Sequence, residues 1–235
     1  MIAENLRLLQ DNIEKKCRES GRDPAEVKLI AVSKNFGTDE INQAFNAGQR
    51  HFGENKAQEL KSKFEKLGGK ITWHFIGALQ RNKVKYAVQS AEYIHSLDSL
   101  ELAVEISKRA GSLGKVQKVL LQIKTSDEET KSGFESRDAV EETVLFCKDD
   151  KNLELVGLMT IAPYTDDENI IRQSFRQLRN LRDDLSQKSG IKIKELSMGM
   201  TGDYEIAIEE GATMLRIGSA IFGQRNYSKD WSVPV

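Results

Sequence analysis

The chain has 235 residues, with 35 Lys and Arg against 36 Asp and Glu and a formal charge of -1. That balance removes any global electrostatic pull toward nucleic acid or an anionic membrane, and the length suits one large domain or two small ones. Two cysteines, Cys17 and Cys147, lie far apart in helix-like stretches; no apolar run nears the roughly 18 residues of a membrane helix, and Met1-Ile2-Ala3-Glu4-Asn5 lacks a signal-peptide layout, so a reduced, cytoplasmic protein is expected.

An opening helix is predicted from Ile2, Leu6, Leu9 and Ile13, which share one helical face. The nearly continuous apolar run 27–33 then suits a strand buried on both faces. Residues 39–47 carry Ile41, Ala44 and Phe45 on one stripe, with Gly48 as the stop. The alternation continues with strands predicted at 50–53, 71–76, 93–96, 116–123, 153–159, 195–197 and 213–217. Helical stretches separate them, the clearest being 170–186, with Ile171, Phe175, Leu178, Leu181 and Leu185 in helical spacing and Gly190 beyond. Eight strands in about the 250 residues typical of the fold predict a closed (β/α)₈ TIM barrel preceded by an extra helix. The short runs at 50–53, 93–96 and 195–197 leave an open doubly wound sheet as the competing arrangement. The three prolines are scattered and no linker is apparent, so residues 1–235 read as one domain.

In such a barrel the functional groups gather at the C-terminal ends of the strands. Lys34 closes the first strand in Leu29-Ile30-Ala31-Val32-Ser33-Lys34. An amine buried there would lose hydration of its charged form and become available as a nucleophile for a Schiff base. A lone surface lysine is the bland reading, and the neighbouring strand ends argue against it. His51-Phe52-Gly53-Glu54-Asn55, Trp73-His74-Phe75-Ile76-Gly77 and Gly157-Leu158-Met159-Thr160 all bring polar groups to the same rim. The turn Thr130-Lys131-Ser132-Gly133 follows strand five.

The last two units are the most specific. Ser197-Met198-Gly199-Met200-Thr201-Gly202-Asp203 and Gly218-Ser219-Ala220-Ile221-Phe222-Gly223 are adjacent glycine-containing turns with a hydroxyl residue at the start of a helix. Paired turns of this kind suit a phosphate, although either alone reads equally well as helix capping. Barrel closure brings Arg216, in the last strand, near Lys34. Facing inward, its charge would disfavour protonation of a ring nitrogen opposite it and weaken the electron sink that pyridoxal 5′-phosphate (PLP) chemistry uses. The alternative is an outward salt bridge. His51, His74 and His95 show no metal-ligand spacing and read as core residues with satisfied hydrogen bonds, so no metal is expected. Asn226-Tyr227-Ser228 offers a possible ring contact.

These blocks, with Lys131-Ser132-Gly133 and Arg216-Ile217-Gly218-Ser219-Ala220-Ile221-Phe222-Gly223, resemble in order and over nearly the whole chain the signature segments of the PLP homeostasis protein family, single-domain relatives of the alanine racemase barrel. The resemblance implies that Lys34 forms the internal aldimine with PLP and that Arg216 faces the pyridine nitrogen. It implies that Ser197, Thr201, Gly218 and Ser219 surround the phosphate, with Asn55 close to the cofactor and Met198 and Gly199 shaping the wall. It further implies a PLP carrier or regulator of vitamin B6 and amino-acid pools without catalytic turnover, with PLP-dependent apo-enzymes as recipients. Three positions depart from the family pattern. Gly37 and Ala78 stand where prolines are common, which bears on loop rigidity, and Thr201 replaces a serine while keeping the hydroxyl. A racemase-like PLP enzyme is the second reading. It is disfavoured because the alanine racemases supply a second acid/base from an added β domain, which this chain is expected to lack. A cofactor-free Schiff-base aldolase is a third. A monomer is expected.

Overall fold

Strand pairing closes without an edge. The computed structural model describes residues 1–126 and 132–223. Its strands are β1 (Lys28–Val32), β2 (His51–Glu54), β3 (Thr72–Phe75), β4 (Tyr93–Leu97), β5 (Gln117–Gln122), β6 (Leu153–Met159), β7 (Glu195–Ser197) and β8 (Met214–Ile217). They pair in sequence order as a closed parallel barrel, and β8 meets β1 with Ile30 opposite Arg216 and Ala31 opposite Ile217. The open-sheet alternative is thereby set aside.

The helices are α1 (Ile2–Glu19), α2 (Thr38–Asn46), α3 (Ala57–Leu67), α4 (Val84–Ser90), α5 (Leu100–Ser112), α6 (Arg137–Asp149), α7 (Glu168–Ser189), α8 (Tyr204–Glu209) and α9 (Ser219–Phe222). The face of α1 formed by Ile2, Leu6, Leu9, Ile13 and Cys17 is buried, and the helix packs against α2, α8 and α9 around the β8–β1 seam. Arg22 extends this clamp by donating to the Ile208 and Ala212 carbonyls at 2.9 and 2.7 Å. Helix α7 runs two residues earlier and three later than its apolar spacing predicts. Asp167 caps its first turn through the Asn169 N–H, and Gly190 ends it in the left-handed conformation at φ 73°.

Alternation along each strand divides the buried side chains into two layers. The outward set lies beneath the helices. Ile30, Leu120, Met159 and Met214 form a separate cluster. Those four come from β1, β5, β6 and β8, so they can meet only inside the barrel. Arg216, two residues beyond Met214, therefore stands on the inward face of β8. Cys17 and Cys147 are buried free thiols.

Gly157 sets the spacing of β6 and β7. A β-carbon there would fall 2.3 Å from the Glu195 carbonyl oxygen, a backbone atom that cannot swing aside. Gly157→Ala is expected to lose about 3 kcal/mol, the upper end of ordinary overpacking, seen as a lower urea midpoint at unchanged slope.

Candidate functional site

Lys34 is half-buried in the turn that follows β1, at the inward parity of Lys28, Ile30 and Val32. The turn is tight, with Phe36 N–H donating to the Ser33 carbonyl at 3.0 Å and Asn35 at φ 68°, a conformation that asparagine tolerates better than most residues. Two carboxylates brace it: Glu59 accepts from the Asn35 N–H and Glu40 from the Gly37 N–H, each at 3.0 Å. The segment around Gly37 is thus pinned by hydrogen bonds where the family pattern uses a proline ring. Phe36 also stacks on Phe222, centroids 4.9 Å apart, joining this turn to α9.

A buried ion cluster lies behind the turn. Lys63 Nζ donates to the Ser33 carbonyl at 2.9 Å and to Glu54 and Glu59 at 2.7 Å each. Ser33 Oγ donates to Glu54 Oε1 at 2.6 Å. Burial pushes the Glu54 carboxyl up to about 7 against the pull of Lys63, and its Oε2 has no hydrogen-bond partner.

Around the same rim, Asn55 follows β2, and its Oδ1 is buried and unpartnered. Gly77 permits the approach of the β3 end: a β-carbon there would meet the Asn55 carbonyl oxygen at 2.2 Å. Asn55, Ile76, Gly77, Ala78, Gln122 and Ile161 help to line a cavity of about 230 Å³. Ala78 therefore borders this space, where a proline would narrow the chain's freedom. Two larger grooves, about 710 and 740 Å³, run along α7 and include none of Lys34, Asn55, Arg216 or Ser219.

The turns after β7 and β8 meet. Thr201 Oγ1 and Ser219 Oγ are 3.0 Å apart and both residues are exposed. Gly199, at φ 92°, lets the first turn fold onto α8, since a β-carbon would fall 2.6 Å from Ala207 Cβ. Gly218 sits where a β-carbon would come within 3.0 Å of the Val32 carbonyl oxygen, which draws the second turn against the end of β1. The first N–H groups of a helix have no intrahelical acceptor, so α9 begins with donors beside the two hydroxyls. Met198 is fully buried beneath.

Arg216 is 5% exposed. It donates through one Nη to Ser197 Oγ at 2.7 Å and through the other to the Thr160 carbonyl at 2.8 Å. Burial draws its pKa down to about 10, offset in part by Asp203. The guanidinium thus faces inward, and among the described residues it forms no outward salt bridge. Ser197, which the resemblance implies near the phosphate, points its hydroxyl inward in this structure. Its hydroxyl is bonded to Arg216 and to His95 Nδ1, the latter at 2.9 Å, inside the barrel. Thr160 and the histidines entered the sequence reading only as rim or core residues; nothing in their spacing shows that they converge on Arg216. Lys131 and the Asn226-Tyr227-Ser228 segment fall outside the described residues.

Known proteins share this fold. The family description "Alanine racemase, N-terminal domain" matches residues 4–226. A pyridoxal phosphate homeostasis protein of Aquifex aeolicus is 42% identical over 225 residues, covering 95% of this chain and 98% of the relative. The chain belongs to the pyridoxal phosphate homeostasis protein family. Another member, from Haemophilus influenzae, is 41% identical over 97% of both chains. PipY of Synechococcus elongatus, solved with PLP bound, superposes at a TM-score of 0.84 with 36% identity, covering 95% of this chain and all of PipY. Alanine racemase of Clostridium difficile, at 20% identity and a TM-score of 0.74, shares the fold across 58% of its own length.

The residues present fit PLP on grounds internal to this structure. A facing hydroxyl pair beside open helix N–H groups suits a phosphate, and Asn55 Oδ1 is a buried acceptor lacking a donor. Gly199 and Gly218 allow the two turns to pack closely enough for the hydroxyls to face each other.

Proposed function

We propose that this chain holds PLP as a Schiff base on Lys34 and serves PLP and vitamin B6 homeostasis, and with it amino-acid pools, as a carrier or regulator without turnover. The observation that carries this reading is the meeting at one rim of the Lys34 turn, the buried Arg216 and the Thr201–Ser219 hydroxyl pair. Lys34 supplies the amine. Thr201, Ser219, Gly218 and the first N–H groups of α9 bind the phosphate, while Gly199 and Met198 shape the wall and Asn55 lies beside the cofactor. Ser197 acts through Arg216.

PLP when bound can delocalise a carbanion, and does so best with a protonated pyridine nitrogen. Arg216 opposes that protonation with a fixed positive charge, because its partners here, a hydroxyl and a carbonyl, leave the charge on the guanidinium. This supports holding over turnover. The chain is proposed to act as a cytoplasmic monomer of one domain, with PLP-dependent apo-enzymes as recipients. Among the described residues, no helix is long and apolar enough to cross a membrane.

Borohydride reduction of the purified protein followed by peptide mapping tests the assignment. The expected result is one reduced pyridoxyl adduct on the peptide containing Lys34; an adduct on any other lysine overturns it.

A further inference from the structure

Three imidazoles cross the barrel interior in single file. His51 Nδ1 lies 3.0 Å from His74 Nε2, and His74 Nδ1 lies 2.8 Å from His95 Nε2. His95 Nδ1 reaches Ser197 Oγ at 2.9 Å, and that oxygen accepts from Arg216 at 2.7 Å. His51 opens β2 at the N-terminal end of the barrel, and Ser197 closes β7 at the other. The file thus climbs from floor to rim.

Its direction is fixed at one end. A guanidinium can only donate, so Ser197 Oγ accepts from Arg216, and His95 Nδ1 is the acceptor within reach of its single O–H. His95 then carries its proton on Nε2 and donates to His74 Nδ1; His74 does the same toward His51 Nδ1. Reversal would bring the His95 Nδ1–H and the Arg216 N–H to one oxygen and leave the hydroxyl proton seeking another acceptor. Neutral rings are required, and burial holds His74 and His95 well below the usual histidine range. The charged groups acting on the floor end are Lys28 of β1, Glu195 of β7 and Glu92 ahead of β4, and Lys118 of β5 acts on His74.

We infer that His95 and His74 are positioning residues for Arg216: a one-way chain of neutral imidazoles locks Ser197 as an acceptor and so orients the guanidinium without neutralising it. A carboxylate in place of Ser197 would hold the arginine as firmly but cancel its charge. The bearing on PLP rests on the proposed function, whereas the chain itself does not.

Histidine-ring ¹⁵N NMR on the full chain, with and without PLP, tests it. His74 and His95 are expected as the single Nε2–H tautomer, without titration between about pH 5 and 8. Ser197→Ala removes the group that imposes direction, so both rings become tautomer mixtures although His74 is two links away. Exchange of the Arg216 side-chain N–H groups rises roughly tenfold, the scale of one lost hydrogen bond. Ser197→Thr restores both signals. His51→Phe, altering only the floor, leaves His95 as the Nε2–H form. A proton on His95 Nδ1, titration of His74 or His95, unchanged tautomers in Ser197→Ala, or scrambling of His95 by His51→Phe each overturns the inference. With PLP bound, Ser197→Ala shifts the visible band while the Lys34 adduct persists, and an unshifted band overturns the link to the cofactor. If the unsubstituted protein gives no adduct, the proposed function fails, and the tautomers still decide the chain.

Discussion

Lys34→Ala is expected to abolish covalent retention of PLP while leaving the fold intact. Lys34 is half-buried in a turn held by backbone and carboxylate bonds that involve Ser33, Asn35, Phe36 and Gly37, none of which needs its side chain. Truncation therefore removes the amine without removing the brace. The phosphate cradle at Thr201 and Ser219 stays in place, so weak reversible binding survives and is lost on gel filtration. Intact mass after borohydride treatment reads the result directly: one adduct in the unsubstituted chain and none in the variant. An adduct of equal yield in Lys34→Ala would place the covalent site elsewhere. The same pair of proteins separates carrier from enzyme. Racemisation of an amino acid that depends on Lys34 would revive the racemase reading, and the Arg216 charge argues that none is found.

Much of this was readable in advance because short strand-like segments alternate with helical stretches along the whole chain, even where a strand such as Glu195-Leu196-Ser197 is mostly polar. The spans 153–159 and 195–197 coincide with β6 and β7, and the others differ at their ends by one residue or so. Ends shift where pairing, rather than composition, decides. Ile71 belongs to the run before β3 but pairs with no neighbouring strand, and Leu97 joins β4 because it pairs with Leu121. The rim residues were legible for a related reason: every strand delivers its C-terminal residue to the same end, so strand order alone gathers Lys34, Asn55, Thr201, Arg216 and Ser219. Side-chain direction is a different matter. Ser197 belongs to the same sequence block as Thr201, yet its hydroxyl faces inward to Arg216 and His95. The three histidines sit 23 and 21 residues apart, a separation with no local period, and only barrel closure aligns them. Lys63 shows its helical partner Glu59 by spacing, whereas its bonds to Glu54 and the Ser33 carbonyl depend on how α3 lies against the barrel.

That last cluster carries the second large effect. Lys63→Met should cost about 3–5 kcal/mol, the usual result of removing one partner of a buried ion pair and stranding the other. Its dependence on pH distinguishes it from a packing defect. Glu54 is raised from 4.5 to about 7 in the folded chain. A carboxyl whose folded pKa exceeds its unfolded value contributes fully below the unfolded pKa, and that contribution is lost as pH rises through the folded one. In the unsubstituted protein, ionising this buried carboxyl withdraws about 3 kcal/mol of stability between pH 4.5 and 7. Lys63 is what draws the Glu54 pKa downward, so its removal lifts that pKa further and carries the loss to higher pH. Urea unfolding at about pH 5 and pH 8 should therefore show Lys63→Met much more damaging at the higher pH, and Glu54→Gln should flatten the unsubstituted profile. Equal losses at both pH values would mean that Glu54 does not change its protonation between them. Because Lys63 also holds the Ser33 carbonyl, the variant loosens the turn bearing Lys34, and PLP retention should fall with stability at pH 8 and recover in part at pH 5, where a protonated Glu54 no longer needs its cation.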